Sequence, residues 1–312
     1  MSTEGSTRAI VAALAANAGI AVAKFVGFAI TGSSSMLAEG VHSVADTSNQ
    51  GLLLLGQRSA TRKADRLHPF GYGRSRYFYS FVVALVIFAL GSLFALYEGV
   101  QKIRHAGDHG LDSPLVAVVI LVVAICLESY SFHTARKESA PLKGDASWWR
   151  FIRTSRNPEL PVVLLEDTGA LIGLVLALAG VGLTMLTGNA IWDGVGTLSI
   201  GVLLGLIAAV LIVEMKSLLI GEGATEAEEA ALRAAIPGQT VDRVIHMKTQ
   251  YLGPEELLVA AKIAIAPGSD AVAIAVAIDG AEARMRAAVP QARVIYLEPD
   301  IDRGEKLFLK IN

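Results

Sequence analysis

This chain of 312 residues has little cysteine and little charge. Cys126 is its only cysteine, which excludes a disulfide within the chain and argues against thiolate metal chemistry. Charged residues make up 18% of the sequence, against about 25% in typical soluble domains. The sequence contains no His-Glu-x-x-His pair and no arrangement of a nucleophile with a base, so we expect that it is not an enzyme. Its basic residues fall in loops rather than on one soluble face, which argues against nucleic-acid binding.

Long apolar runs are what the chain has in excess. Hydrophobic residues make up 53% of it and its mean hydropathy is +0.51, which predicts an integral membrane protein in contact with lipid. Six runs are long enough to span about 30 Å of hydrocarbon as helices. The first run continues too far for a signal peptide, so we interpret it as a retained membrane helix. The runs lie near residues 8–30, 35–57, 78–101, 113–135, 160–187 and 190–219.

Lysine and arginine are concentrated in two of the loops between these runs. Cytoplasmic loops of membrane proteins carry such an excess, so we expect both loops and both chain termini to be cytoplasmic, in the inner membrane of a bacterial cell. The basic residues are Arg58, Arg62, Lys63, Arg66, Arg74 and Arg76 after the second run, and Arg136, Lys137, Lys143, Arg150, Arg153 and Arg156 after the fourth.

The second apolar run carries a polar stripe. His42, Asp46 and Asn49 are spaced by four and three residues and therefore share one helix face, which Ser35 and Glu39 extend toward the helix start. An ionisable group near the bilayer centre costs about 2.5–3.5 kcal/mol on insertion scales, so such groups indicate function. His42 and Asp46, about 6 Å apart along the helix axis, can offer a nitrogen and an oxygen ligand to one metal ion. The alternative is that His42 is only an interhelical hydrogen-bond partner.

Glu166 and Asp167 lie well inside the fifth apolar run. Adjacent residues on a helix point about 100° apart, so at most one of them faces His42 and Asp46 directly. His42, Asp46 and Asp167 would supply one nitrogen and two carboxylates to a divalent ion, with Glu166, an amide or water as a fourth ligand, which suits tetrahedral zinc. The alternative is that the acidic pair marks a solvated helix start at the membrane edge.

The last part of the chain predicts a separate small domain. Thr225 is a suitable N-cap for a helix that ends at Pro237, and a second helix runs from Ser269 or Asp270 to about residue 288. Alternating patterns predict three strands, at 241–251, 256–265 and 293–297. We therefore expect a six-helix transmembrane domain over 1–221 and a ferredoxin-like α-β-β-α-β domain over 222–312, with helices on one sheet face.

Taken together, these features resemble the cation diffusion facilitator family of divalent-metal transporters. The resemblance rests on the pair His42 and Asp46, the carboxylate Asp167, the loop rich in His and Asp after the second helix, the six helices and the small tail. The stretches His68-Pro-Phe-Gly-Tyr-Gly-Arg74 and Leu165-Glu166-Asp167 are similar to the branch that includes zinc transporter 9.

The resemblance implies a function and a set of residues for it. It implies efflux of divalent metal, zinc foremost, by alternating access in exchange for protons, in a homodimer paired through its tails and without a further cofactor. His42, Asp46 and Asp167 would hold the metal, and Glu166 would be a fourth ligand or a proton carrier. The family's second site maps onto three residues of the loop after the second helix, Asp65, His68 and Tyr72. Tyr72 stands where the family has a histidine.

Some positions leave alternatives open. Val163 stands where better-known zinc members have a histidine, which keeps open a manganese, iron or cobalt carrier of the same family. The tail has one histidine, His246, so it lacks the ligands of a metal cluster. Asn17, Asn49 and Asp193 are candidates to hydrogen-bond the ligands. A membrane scaffold that transports nothing and signals through its tail is the alternative of another class.

Overall fold

The computed structural model describes residues 3–31, 34–105, 114–238 and 240–301. The predicted apolar runs are helical in their described parts. The helices are α1 (Thr3–Thr31), α2 (Ser34–Ala60), α3 (Ser75–Val86), α4 (Leu93–Arg104), α5 (Pro114–Lys143), α6 (Trp148–Thr154), α7 (Glu159–Thr187) and α8 (Ile191–Ile220). A π-helical segment, Ile87–Ser92, joins α3 directly to α4.

Five helical stretches in the described part are long and apolar enough to cross a membrane. They are Thr7–Val26, Ser75–Arg104, Leu115–Lys143, Glu159–Thr187 and Ile191–Ile220. Helix α2 has 27 residues, which is also long enough to span, but its polar stripe lowers its hydropathy. The protein is therefore a helical membrane protein, and a sixth span at α2 stays a prediction.

The packing of the helices brings the polar positions together. Helix α1 packs against both α2 and α5, and α5 packs against α7. Fewer contacts join α1 to α7. Because α1 contacts α2, α5 and α7, and α5 contacts α7, polar residues halfway along these four helices can meet inside the bundle.

A buried ion pair ties the start of α3 to the start of α7. Arg76 Nη2 donates to Glu159 Oε2 at 2.8 Å and to Asn157 Oδ1 at 3.2 Å, and its Nε donates to Glu159 Oε1. The two charged side chains are 3% and 1% exposed. The sequence predicts that Arg76 is a loop cation, whereas the structure places it in the first turn of α3 with Glu159 as a bidentate partner.

The C-terminal elements follow the predicted order. They are α9 (Glu226–Ala235), β1 (Val241–Gly253), β2 (Glu256–Ile265), α10 (Ala271–Ala288) and β3 (Ala292–Asp300). Strand β2 lies in the centre, antiparallel to β1 and parallel to β3. This confirms the predicted α-β-β-α-β arrangement. Strand β1 is two residues longer than predicted because pairing with β2 continues as far as Gly253, opposite Glu256.

Local capping and one apolar core hold this small domain together. Thr225 and Glu228 form a capping box at the start of α9, and Asp270 Oδ1 accepts from Ala273 N at 2.7 Å at the start of α10. These contacts satisfy backbone N–H groups that a helix start leaves unpaired. The core packs the helices against the sheet, and its largest buried members include Leu232, Ile236, Leu257, Ile263 and Met285.

The loop between α2 and α3 packs with the C-terminal elements. Lys63–Arg74 forms one compact unit with the chain from Ser217 onward, and the remaining helices form another unit. A Cβ atom on Gly73 would lie 2.8 Å from Leu252 O and 3.1 Å from Gly253 Cα. Since real Cβ atoms do not approach backbone so closely, Gly73 and Gly253 make this contact only because neither has a side chain.

We expect Arg76→Met to lower the free energy of unfolding by about 3–5 kcal/mol, because Glu159 would stay buried without its partner. The double variant Arg76→Met/Glu159→Leu removes both charges and should recover most of this loss. Denaturant unfolding of the protein in detergent measures both. Arg8→Met is the matched control: Arg8 is 70% exposed and 4.0 Å from Glu138, so its loss should cost under about 1 kcal/mol. Equal losses of stability in Arg76→Met and Arg8→Met would mean that Arg76 is not the partner of a buried charge.

Candidate metal centre

The polar stripe of α2 is described in its C-terminal half. The backbone of α2 is helical through His42, but the side chain of His42, with those of Ser35 and Glu39, lies outside the described residues. Asp46 is half-buried. Asn49 and Gln50, at the next turn, are 1% and 0% exposed. The described part of the stripe therefore faces protein rather than lipid.

Glu166 contacts α2 through two amides. Gln50 Nε2 donates to Glu166 Oε2 at 2.7 Å, and Asn49 Nδ2 donates to Glu166 Oε1 at 3.3 Å. Each carboxylate oxygen of Glu166 thus has its own N–H donor on the facing helix. Glu166 also interacts electrostatically with Asp46 and Asp167. Among the described side chains of α2, the hydrogen bonds to this acidic pair go to Glu166.

Asp167 contacts α5 instead. Its side chain is 1% exposed, and its Oδ2 accepts from Ser131 Oγ at 2.8 Å. The residue lies two turns into α7, which begins at Glu159. The structure therefore does not place the acidic pair at a solvated helix start, because residues 159–164 of α7, which precede the pair, are buried.

A fourth carboxylate and a lysine lie near Asp46, Glu166 and Asp167. Glu128 on α5 is 5% exposed and interacts electrostatically with Asp167, Asp46 and Lys24. Lys24 on α1 is 8% exposed. Among the described side chains, which leave out His42, no three His, Cys, Asp or Glu residues are close enough to hold one metal ion. We name Asp46, Glu128, Glu166 and Asp167, with Lys24, the buried acidic cluster.

Several members of this neighbourhood are not among the site residues that the sequence predicts. Glu128 and Ser131 interrupt the fourth apolar run three residues apart, and Lys24 interrupts the first. Gln50 lies four residues after Asp46, on the predicted polar face. A polar residue inside an apolar run was therefore the feature of the sequence that could have identified each of them. The sequence did not indicate which of these residues would face one another.

The predicted supporting residues have different surroundings. Asn17 is buried in α1, at 6% exposure. Asn49 contacts Glu166, as described above. Asp193 forms an ion pair with Lys102 on α4, with Oδ2 2.9 Å from Nζ, and its backbone carbonyl accepts from Thr197 Oγ1 at 2.9 Å. The carboxylate of Asp193 thus pairs with a lysine outside the buried acidic cluster.

The structure brings the three predicted loop residues together. Asp65 Oδ2 accepts from the Tyr72 hydroxyl at 2.6 Å, and its Oδ1 accepts from the backbone N–H groups of Leu67 and His68 at 2.9 and 2.7 Å. His68 Nδ1 is 3.4 Å from Asp65 Oδ1. These hydrogen bonds, that from Tyr72 foremost, lower the pKa of the Asp65 carboxyl to about 2. The ionised carboxylate therefore organises the loop through its own hydrogen bonds.

Comparison with known proteins finds a family and several relatives. The model of the cation efflux transmembrane domain matches residues 10–220. The mitochondrial proton-coupled zinc antiporter SLC30A9 of Mus musculus is 33% identical over 80% of this chain and 44% of its own length. Metal tolerance protein C4 of Arabidopsis thaliana is 32% identical over 80% of this chain and 55% of its own. The chain thus spans about half the length of these relatives.

We expect Asp65→Ala to raise the hydrogen-exchange rates of the Leu67 and His68 amides by about tenfold or more, because both lose their acceptor. Hydrogen–deuterium exchange with peptide mass spectrometry measures this. Asp145→Ala is the matched control, since Asp145 is an exposed loop acid and its loss should leave the 63–74 peptide unchanged. Unaltered exchange in Asp65→Ala would mean that these hydrogen bonds do not order the loop.

Proposed function

The chain belongs to the cation efflux family, and we propose that it exports divalent metal ions, zinc foremost, across a membrane in exchange for protons. The observation that carries this proposal is the buried acidic cluster. Among the described residues, four carboxylates lie near one another in an apolar helix bundle together with buried Lys24, and two of them, Glu128 and Asp167, are almost completely buried. Uncompensated charges in such a medium are costly. A divalent ion or protons can compensate the same charge, so each displaces the other.

The proposed metal ligands are His42, Asp46 and Asp167, with Glu166 as a fourth ligand or as the proton carrier. The burial of Asp167 and the electrostatic interactions of Glu166 with both aspartates support this set. Zinc binding requires neutral imidazole and ionised carboxylates. A histidine with a reference pKa near 6.5 allows exchange of metal for protons around neutral pH.

The names of the relatives support the same proposal. Two of them are named for proton-coupled zinc antiport and for metal tolerance. We carry these activities to this chain as part of the proposal, together with a homodimer paired through the C-terminal domains. The basic loops favour cytoplasmic termini, and we propose the bacterial inner membrane, where a proton gradient can drive the exchange.

One observation favours a second candidate, a manganese, iron or cobalt carrier. Val163, one turn before Asp167, is fully buried and supplies no ligand. The described polar groups nearest to Glu166 are amides and carboxylates, which suit metals that prefer oxygen. The choice between zinc and manganese therefore depends on His42.

Transport is tested with purified protein in liposomes that contain a zinc-sensitive dye. We expect a pH gradient to drive zinc flux, and Asp46→Asn to reduce that flux to background because it removes a charged ligand. Asp145→Asn, an exposed loop variant, should keep the flux of the parent protein. Parent-level flux in Asp46→Asn would contradict the ligand assignment. Absence of any metal flux in the parent would favour the scaffold alternative.

Metal preference is tested by Val163→His. An imidazole four residues before Asp167 shares its helix face, so we expect zinc binding to tighten by about tenfold and manganese binding to change less. Isothermal titration with each ion measures both affinities. Unchanged zinc affinity in a folded variant would mean that position 163 does not face the ion.

A further inference from the structure

Two buried amide oxygens beside Glu166 have no hydrogen-bond partner among the described residues. They are Asn49 Oδ1 and Gln50 Oε1, and no group in the described part of the chain donates to either. Both side chains are almost completely buried, at 1% and 0% exposure. Buried acceptors are nearly always satisfied in folded proteins, because an unpaired one loses its hydration without replacement. A pair of them at adjacent positions therefore indicates that the two amides have a second arrangement, in which their oxygens meet a partner such as a cation.

The two oxygens are left unpaired because the nitrogen of each amide is turned toward Glu166. A carboxylate accepts hydrogen bonds, so each amide must turn its N–H end toward Glu166, as Gln50 Nε2 and Asn49 Nδ2 do at 2.7 and 3.3 Å. The oxygen of each amide lies on the same carbon as that nitrogen. Rotation about the last side-chain torsion, which has a broad twofold profile, exchanges the two ends. A cation placed beside the carboxylate would favour the rotated form.

We propose that Asn49 Oδ1, Gln50 Oε1 and the Glu166 carboxylate form a second binding position for a divalent cation, one turn beyond Asp46 along α2. In the structure described, the amide N–H groups hold Glu166. When the cation arrives, both amides rotate and present oxygen to it, while Glu166 turns from hydrogen-bond acceptor to ligand. We call these three side chains the amide position.

The role of the amide position in transport rests on the proposed function, whereas its ability to bind a cation does not. Glu166 interacts with Asp46 and Asp167 and belongs to the amide position as well, so one ion can pass from one set of ligands to the other through it. Two divalent ions this close would repel each other strongly, so the positions are occupied in turn. With oxygen ligands alone, the amide position should bind Mn²⁺ in preference to softer, nitrogen-seeking ions.

The test measures Mn²⁺ binding to the full chain in detergent, from the electron paramagnetic resonance signal of the free ion. In an Asp46→Asn background, which removes a ligand of the first position, we expect one Mn²⁺ per chain to bind still. Adding Gln50→Met, which has similar size but no oxygen, should weaken binding by about tenfold or more. Gln50→Glu, which keeps an oxygen and loses the N–H, should bind at least as tightly as the Gln50 parent.

A matched control lies two turns along the same helix. Gln57 is half-buried and its Oε1 accepts from Thr7 Oγ1 at 2.8 Å, so Gln57→Met should leave Mn²⁺ binding unchanged. Gel filtration verifies that each variant is folded. If Gln50→Met does not fold, Asn49→Leu and Asn49→Asp repeat the same comparison at the neighbouring amide.

A spectroscopic signature separates a ligand from a residue that only positions Glu166. With carbon-13 in the side-chain amide of glutamine, bound Mn²⁺ should show hyperfine coupling to that carbon, and the coupling should vanish in Gln50→Met. Absence of this coupling, equal weakening in Gln50→Met and Gln50→Glu, or no Mn²⁺ binding in Asp46→Asn would each overturn the proposal. If the parent moves no metal in liposomes while the Gln50 series behaves as expected, the proposed function fails and the amide position stands.

Discussion

Carboxylates inside an apolar helix bundle must be compensated, and this constraint governs the membrane part of the protein. Burial strips a carboxylate of its hydration, so the described carboxylates take partners from neighbouring helices. Glu166 takes amide donors from α2, Asp167 takes a hydroxyl from α5, and Glu128 lies within electrostatic reach of Lys24 on α1. The adjacent acids of α7 thus contact two different helices, so a movement of α7 would displace its contacts with α2 and with α5 together.

The same constraint explains why the start of α7 is tied down. Glu159 is buried at the first turn of that helix and is paired there with Arg76 on α3. Breaking a buried pair leaves a charge that cannot be hydrated, so this contact resists sliding of α7 past α3. Because Glu166 lies about two turns further on, the position of its carboxylate depends on where the ion pair holds the helix start.

The sequence predicted those features that depend on neighbours along the chain. Caps such as Thr225 and Asp270, the alternating strands and the length of the apolar runs all follow from short-range patterns, and the structure confirms them. Partner choice over long distances could not be predicted this way. Arg76 is 83 residues from Glu159, so near a helix end it was indistinguishable from a solvated loop cation. Gln50 and Ser131 were visible as polar interruptions, but only tertiary packing assigns them to Glu166 and Asp167.

The contact between Gly73 and Gly253 has a consequence for how the protein is made. Ribosomes add about 5–20 residues per second, so the loop that contains Gly73 waits on the order of ten seconds or more for the β1–β2 turn. Residues 63–70 of that loop are exposed in the finished fold. Because the contact at Gly73 involves backbone atoms alone, it needs no rearrangement of side chains when the later turn arrives. The later β1–β2 turn therefore completes a contact that the earlier loop began.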